Sequence, residues 1–174
     1  GSEMCIRDST LTEKRAPDGY AEAESIVFKL VQEGTEQVNE VYVKTDDDWS
    51  KMNGSTIVMQ DAPVLDIDKT DIAGNLLPGA TLTIRNANDE IIDTWVTDYK
   101  THRVPISDDF LKLSDDSKEY IYTLTEDAAP AGFEIANSVQ FKLETVDDGI
   151  SLFVRENADA EWVRADKRLI QMID

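Results

Sequence analysis

An all-β sandwich is the fold class this sequence predicts, and three observations predict it. Short apolar runs alternate with polar residues at a period of two. Turn residues separate these runs at short intervals. The pattern also recurs along the chain, with Thr10 matching Thr123, an offset of 123 − 10 = 113 residues.

The candidate strands are 64–69, 80–86, 91–97, 102–106, 119–126, 138–144, 150–155 and 168–174, each rich in Val, Ile, Thr or Tyr. Between most of them stand turn signals such as AGN, PG, NAND, PAG and DDG. The segment SDDFLKLSDDSK, 107–118, breaks the pattern and predicts a helical turn capped by Ser107 or Ser114.

The repeat organises the domains. Leu11 matches Leu124, Glu13 matches Glu126, Pro17 matches Pro130 and Gly19 matches Gly132, all at the same offset. Residues 10–61 share 18 identities with 123–174 without an insertion. The expected organisation is therefore tandem domains. Residues 62–174 form a whole domain and 10–61 the C-terminal half of a truncated one, whose opening part would precede Gly1. Residues 1–9, GSEMCIRDS, match nothing in the repeat and read as a non-native leader. The half-domain is expected to be poorly ordered, or to capture its missing N-terminal piece in trans.

Composition narrows the function. The 174 residues include 36 acidic and 17 basic side chains, a net charge of −19. Nucleic acid and anionic membrane surfaces need a cationic face, so neither is an expected partner. No run approaches the roughly 20 apolar residues of a membrane span. Cys5 is the single cysteine, so no disulfide forms within the chain. His102 is the single histidine, and no Ser/His/Asp or Cys/His constellation assembles around it. No phosphate loop is present, and the sequence calls for no cofactor. Asp66, Asp68 and Asp71 in DIDKTD lack the spacing of a calcium loop, and TDDDW, Thr45–Trp49, reads as a solvated loop, so no metal is expected. Trp49 and Trp162 match across the repeat and read as structural, with sugar stacking the other use of an exposed Trp.

Alternation carries the sharpest signal. In VLDIDK, Leu65, Ile67 and Lys69 share one face. In YIYTLTE, Tyr120, Tyr122, Leu124 and Glu126 share a face. In LIQMID, Ile170, Met172 and Asp174 do so. Three apolar faces thus end in a charged residue. The first copy repeats two of them, Leu11 with Glu13, and Ile57 and Met59 with Asp61. One such charge buried alone costs several kcal/mol. If the three meet, desolvation favours their uncharged forms. A neutral lysine amine is a nucleophile, and an adjacent carboxylic acid can carry protons while the other carboxyl is attacked. The product is an amide with loss of water. A buried salt bridge, or strand ends that point to solvent, are the plainer outcomes.

Three motifs carry a family resemblance: IDKTDIAGNLLPGATLTIRN (Ile67–Asn86), YTLTEDAAPAGF (Tyr122–Phe133) and IQMID (Ile170–Asp174). They resemble the opening strands, E-box and closing strand of the CnaB-type, SpaA-like (prealbumin-like) domains of Gram-positive surface adhesins and pilins. The resemblance implies a Greek-key, inverse-transthyretin and Ig-like sandwich with a spontaneous intramolecular isopeptide bond. It implies Lys69 as nucleophile, Asp174 as acceptor and Glu126 as the catalytic acid/base. Glu13 and Asp61 are then an incomplete first-copy site, with no cross-link expected within residues 1–61.

The function this implies is a structural stalk module of a secreted, cell-wall anchored surface protein. It is not an enzyme beyond one self-directed turnover. Its partners are adjacent domains of the same surface protein and a host extracellular-matrix protein or glycan. Two other readings stay open: a ligand-binding sandwich, and an accessory domain of a secreted carbohydrate-active enzyme.

Overall fold

A computed structural model describes residues 3–33, 39–107, 110, 120–147 and 149–174. The chain divides into two compact units, unit 1 (Gly1–Ala62) and unit 2 (Pro63–Asp174). No helix among the described residues is long and apolar enough to cross a membrane.

In unit 1, β1 (Glu3–Leu11), β3 (Ile26–Glu33), β4 (Asn39–Thr45) and β5 (Asp48–Lys51) form an antiparallel sheet in the order β1-β3-β4-β5, with β2 (Tyr20–Ala21) between β1 and β3 in sequence. Glu3–Ser9, within the segment read from sequence as a non-native leader, forms part of β1 and pairs with β3. Ladder pairing uses backbone groups, so a segment without an alternating pattern can still extend a strand.

Unit 2 opens with β6 (Ala62–Thr70), whose first residue lies at the boundary. It continues through β7 (Thr81–Arg85), β8 (Ile91–Val96), β9 (His102–Pro105), β10 (Tyr122–Ala128), β11 (Val139–Val146), β12 (Gly149–Arg155), β13 (Val163–Arg164) and β14 (Leu169–Ile173). One antiparallel sheet has the order β13-β12-β11-β10-β7-β8. In the second, β6 lies between β14, parallel to it, and β9, antiparallel to it. The helical turn expected in 107–118 falls largely outside the described residues, but Phe110 is placed, stacked on Tyr122 at a centroid distance of 4.6 Å.

Alternation explains the core. Leu65 and Ile67 from β6, and Ile170 and Met172 from β14, face Leu82, Ile84, Tyr122, Leu124, Phe141, Leu143 and Leu152 of the large sheet. Leu65, Leu82, Ile84, Leu124 and Phe141 are all 0% exposed. Each such side chain contributes about 1.5–3 kcal/mol relative to an exposed one.

The two units correspond locally. Leu11 pairs with Ile26, as Leu124 pairs with Val139. Beyond Leu124, β10 runs on because β7 flanks it as far as Ala128, whereas β1 ends at Leu11. The Pro/Gly turn that follows is also the same. The Tyr20 amide donates to the Pro17 carbonyl and the Phe133 amide to the Pro130 carbonyl, each at 3.1 Å. Gly19 (φ 84°) and Gly132 (φ 88°) occupy the third position, where a type II turn demands the left-handed region.

Candidate functional site

Three strands deliver the charged ends of their inward faces to one point. On β6, Leu65, Ile67 and Lys69 are at most 2% exposed. The parallel register sets Met172 beside Lys69 and Ile173 beside Thr70, and the Asp174 amide donates to the Thr70 carbonyl at 3.0 Å. That bond carries the ladder one residue past β14 and holds Asp174 within reach of the Lys69 side chain. On β10, Glu126 lies opposite Leu82, and the register shifts between Glu126 and Ala128. Such a bulge lets a strand bend beside a site while keeping one side chain aimed inward.

Lys69 Nζ lies 3.3 Å from Glu126 Oε1 and donates a hydrogen bond to Asp174 Oδ1. The lysine and glutamate side chains are fully buried and that of Asp174 nearly so. Glu126 is oriented from its far side, where the Ala136 amide donates to Oε2 at 2.6 Å. Asp174 Oδ2 is buried without a hydrogen-bond partner among the described residues. One cation and two carboxyl groups therefore share a buried pocket. A lone buried charge there would be prohibitive, and their contacts offset that cost. A cavity of about 180 Å³, lined by Lys69, Ile67, Trp95 and His102 among others, adjoins the lysine.

The first-copy carboxyls also meet. Asp61 hydrogen-bonds to Glu13, and the Ala23 amide donates to Glu13 Oε2 at 2.7 Å. Burial, then the Glu13 charge and the hydrogen bond to it, push the Asp61 carboxyl above the ordinary aspartate value of 3.8. The folded state thus holds the Asp61 proton more tightly than the unfolded chain does. This group's contribution to the stability of unit 1 is fully present below the unfolded value and is lost as pH rises through the raised one. A carbon-detected NMR titration should place Asp61 above 3.8 and bring it down in Glu13→Gln. A midpoint at or below the ordinary value would contradict the paired geometry.

Other residues singled out by sequence have structural partners. Lys29 lies over Trp49 at 4.3 Å, and its counterpart Lys142 over Trp162 at 4.8 Å, with Arg155 4.2 Å from the same indole. These cations occupy the rings that could have stacked on a sugar. The carboxylate of Asp71 accepts the amides of Ala73 and Asn75 at 2.9 and 2.8 Å and so shapes a turn. Asp66 Oδ1 lies 3.4 Å from Arg103 Nε. Sequence reasoning missed the Ala136 amide, because every non-proline residue carries one. It also missed the cluster beside the cavity, where His102 stacks on Trp95 at 3.8 Å and its Nε2 lies 2.7 Å from Asp93 Oδ2.

Residues 64–157 match the family model of the SpaA prealbumin-like fold domain. The chain belongs to this family. No curated protein matches it. Among solved structures, the SpaA-type chain is similar to the pilus adhesin SpaC from Lactobacillus rhamnosus GG in its open conformation. The two are 15% identical with a TM-score of 0.40, over 97% of this chain and 24% of that one. The C-terminal fragment of the same adhesin is likewise 15% identical, with a TM-score of 0.38, over 93% of this chain and 72% of the fragment. The SpaA-type chain therefore spans 24% of the length of the longer adhesin.

Proposed function

We propose that unit 2 is a force-carrying stalk module of a cell-surface pilin or adhesin, locked by one amide bond between Lys69 and Asp174. The observation that carries this reading is the meeting of Lys69 with both Glu126 and Asp174 among side chains that are almost wholly buried. A salt bridge alone would need one carboxylate. The second, held by a backbone amide and within 3.3 Å of the lysine, is placed to move protons.

The chemistry balances without an outside reagent. The lysine ammonium passes a proton to Glu126, and the freed amine attacks the Asp174 carboxyl carbon. Glu126 returns its proton to the departing Asp174 oxygen, which leaves as water once it also holds the second amine proton. The sum is ammonium plus carboxylate giving amide plus water. Glu126 is regenerated and stays against the new amide.

The position of the bond suits a mechanical task. β6 and β14 are adjacent and parallel, so tension across the unit shears one past the other. An amide from Lys69 to Asp174 routes that tension past the sandwich. Membership of the SpaA family favours an extracellular surface setting for such a module, with neighbouring domains of the same protein as its partners.

Intact-mass spectrometry tests the reading. The folded chain is expected to weigh one water less than its sequence, about 18 Da, with a linked Lys69–Asp174 peptide after digestion. Lys69→Ala and Glu126→Ala should each restore the full mass. A folded chain of unmodified mass would reduce the site to a buried ion cluster.

A further inference from the structure

β8 belongs to the large sheet and β9 to the small one, and their side chains meet at one side of the sandwich. Asp93 and Trp95 alternate onto the inward face of β8. Trp95 lies opposite Leu82, and Leu82 lies opposite Glu126, so the indole stands in the same row of the sheet as the glutamate. His102 lies opposite Ile67, two residues before Lys69 on the same face of β6. The His102 ring stacks on Trp95 at 3.8 Å with an interplanar angle of 10°, and its Nε2 lies 2.7 Å from Asp93 Oδ2.

This contact walls the cavity of about 180 Å³ that Lys69 also lines. Asp98, Lys100 and Arg103 add a charged rim. The side chains of His102 and Asp93 are 28% and 34% exposed, so one side of the contact meets solvent while the other meets the cavity. Parting the two rings would open a path from solvent towards the lysine. Hydration favours an ammonium over a neutral amine, and only the amine is a nucleophile.

We infer that Asp93, Trp95 and His102 are positioning residues for the Lys69–Asp174 amide. They latch β8 to β9 beside the site, keep bulk water from the lysine, and leave the cavity free to receive the water that the reaction releases. One water needs only about 10–15 Å³ of such space, so the sheets need not part to let it go. The three residues act through the wall they form, not by contact with the reacting atoms. The inference rests on the amide chemistry proposed for unit 2.

The test is the rate at which the full chain loses its water. Pulse-labelled chain from cell-free synthesis, held well below its melting temperature and sampled by intact mass, gives that rate. His102→Ala should slow it on the order of 10²-fold. Added imidazole should reverse the loss by refilling the space between Trp95 and Asp93. His102→Phe keeps a ring on Trp95 without the bond to Asp93, so its rate should fall between those of His102→Ala and the wild type. Tyr99→Ala, at a position 76% exposed in the β8–β9 loop, should leave the rate unchanged. Melting of Lys69→Met with and without His102→Ala reads the contribution of the latch to folding separately. A merely structural role would lower that melting temperature and leave the rate in the folded chain as it was. A wild-type rate in folded His102→Ala and His102→Phe, or a slowing that imidazole does not reverse, would overturn the inference alone. A wild type of unmodified mass would overturn it together with the reading of unit 2, so the wild-type mass tells the two failures apart.

Discussion

Glu126→Gln is expected to lower the unfolding free energy of unit 2 by about 4–5 kcal/mol and to let the unit extend fully under force. Glutamine keeps the size of the side chain and can hydrogen-bond to the lysine, but it cannot shuttle a proton. Lys69 and Asp174 would then remain an ion pair. The lost stability comes from the unfolded chain. A bond between residues 105 apart in sequence closes a long loop, and chain entropy values that closure at about 4–5 kcal/mol. On the order of 15 °C in melting temperature should follow. The mechanical effect is larger. A closed loop of that length, 105 residues, withholds roughly 350 Å of contour from extension. Single-molecule pulling on the wild type should show no such gain, and Glu126→Gln should show all of it. Lys69→Met should extend in the same way but lose further stability, because two carboxyl groups stay buried without their cation. Equal unfolding free energies and equal extensions for wild type and Glu126→Gln would refute the covalent reading.

What could be read from the sequence followed from strict geometry. A strand alternates with a period of two, so Leu65 and Ile67 on the inside commit Lys69 to the inside as well. The same rule placed Glu126 through Tyr122 and Leu124, and Asp174 through Ile170 and Met172. Alternation gives the face but not the distance. That the three meet depends on the parallel register of β14 on β6 and on the place of β10 in the opposite sheet. Neither has a local signature.

The misses share a cause. β13 has two residues, Val163 and Arg164, both exposed and held by pairing with β12, so no burial pattern marks it. The β3–β4 hairpin is also out of step with its counterpart. Phe28 faces Val43, while Phe141 faces Val154, the counterpart of Val41, a slip of two residues that identical sequence spacing concealed. A slip of two keeps every side chain on its own face, so the pattern of apolar residues does not report it.

Phe141→Ala should cost unit 2 about 3–5 kcal/mol, and Phe28→Ala should cost unit 1 less than about 1.5 kcal/mol. Both residues sit in an FKL triplet, on strands with matching boundaries, 141 − 28 = 113 residues apart. Local sequence therefore gives no ground for a difference. The difference is in what lies above each ring. Phe141 is 0% exposed and packs on Tyr122 at 5.4 Å, which in turn stacks on Phe110, so its removal leaves a cavity inside a filled core. Phe28 is half-buried, so water can reach the space its ring vacates and little cavity cost arises. Hydrogen exchange followed by mass spectrometry reads the two units separately within one chain. Protection of β11 should fall sharply in Phe141→Ala, and that of β3 only slightly in Phe28→Ala. Equal losses would mean that Phe28 is packed as tightly as Phe141 and would contradict its half-buried position.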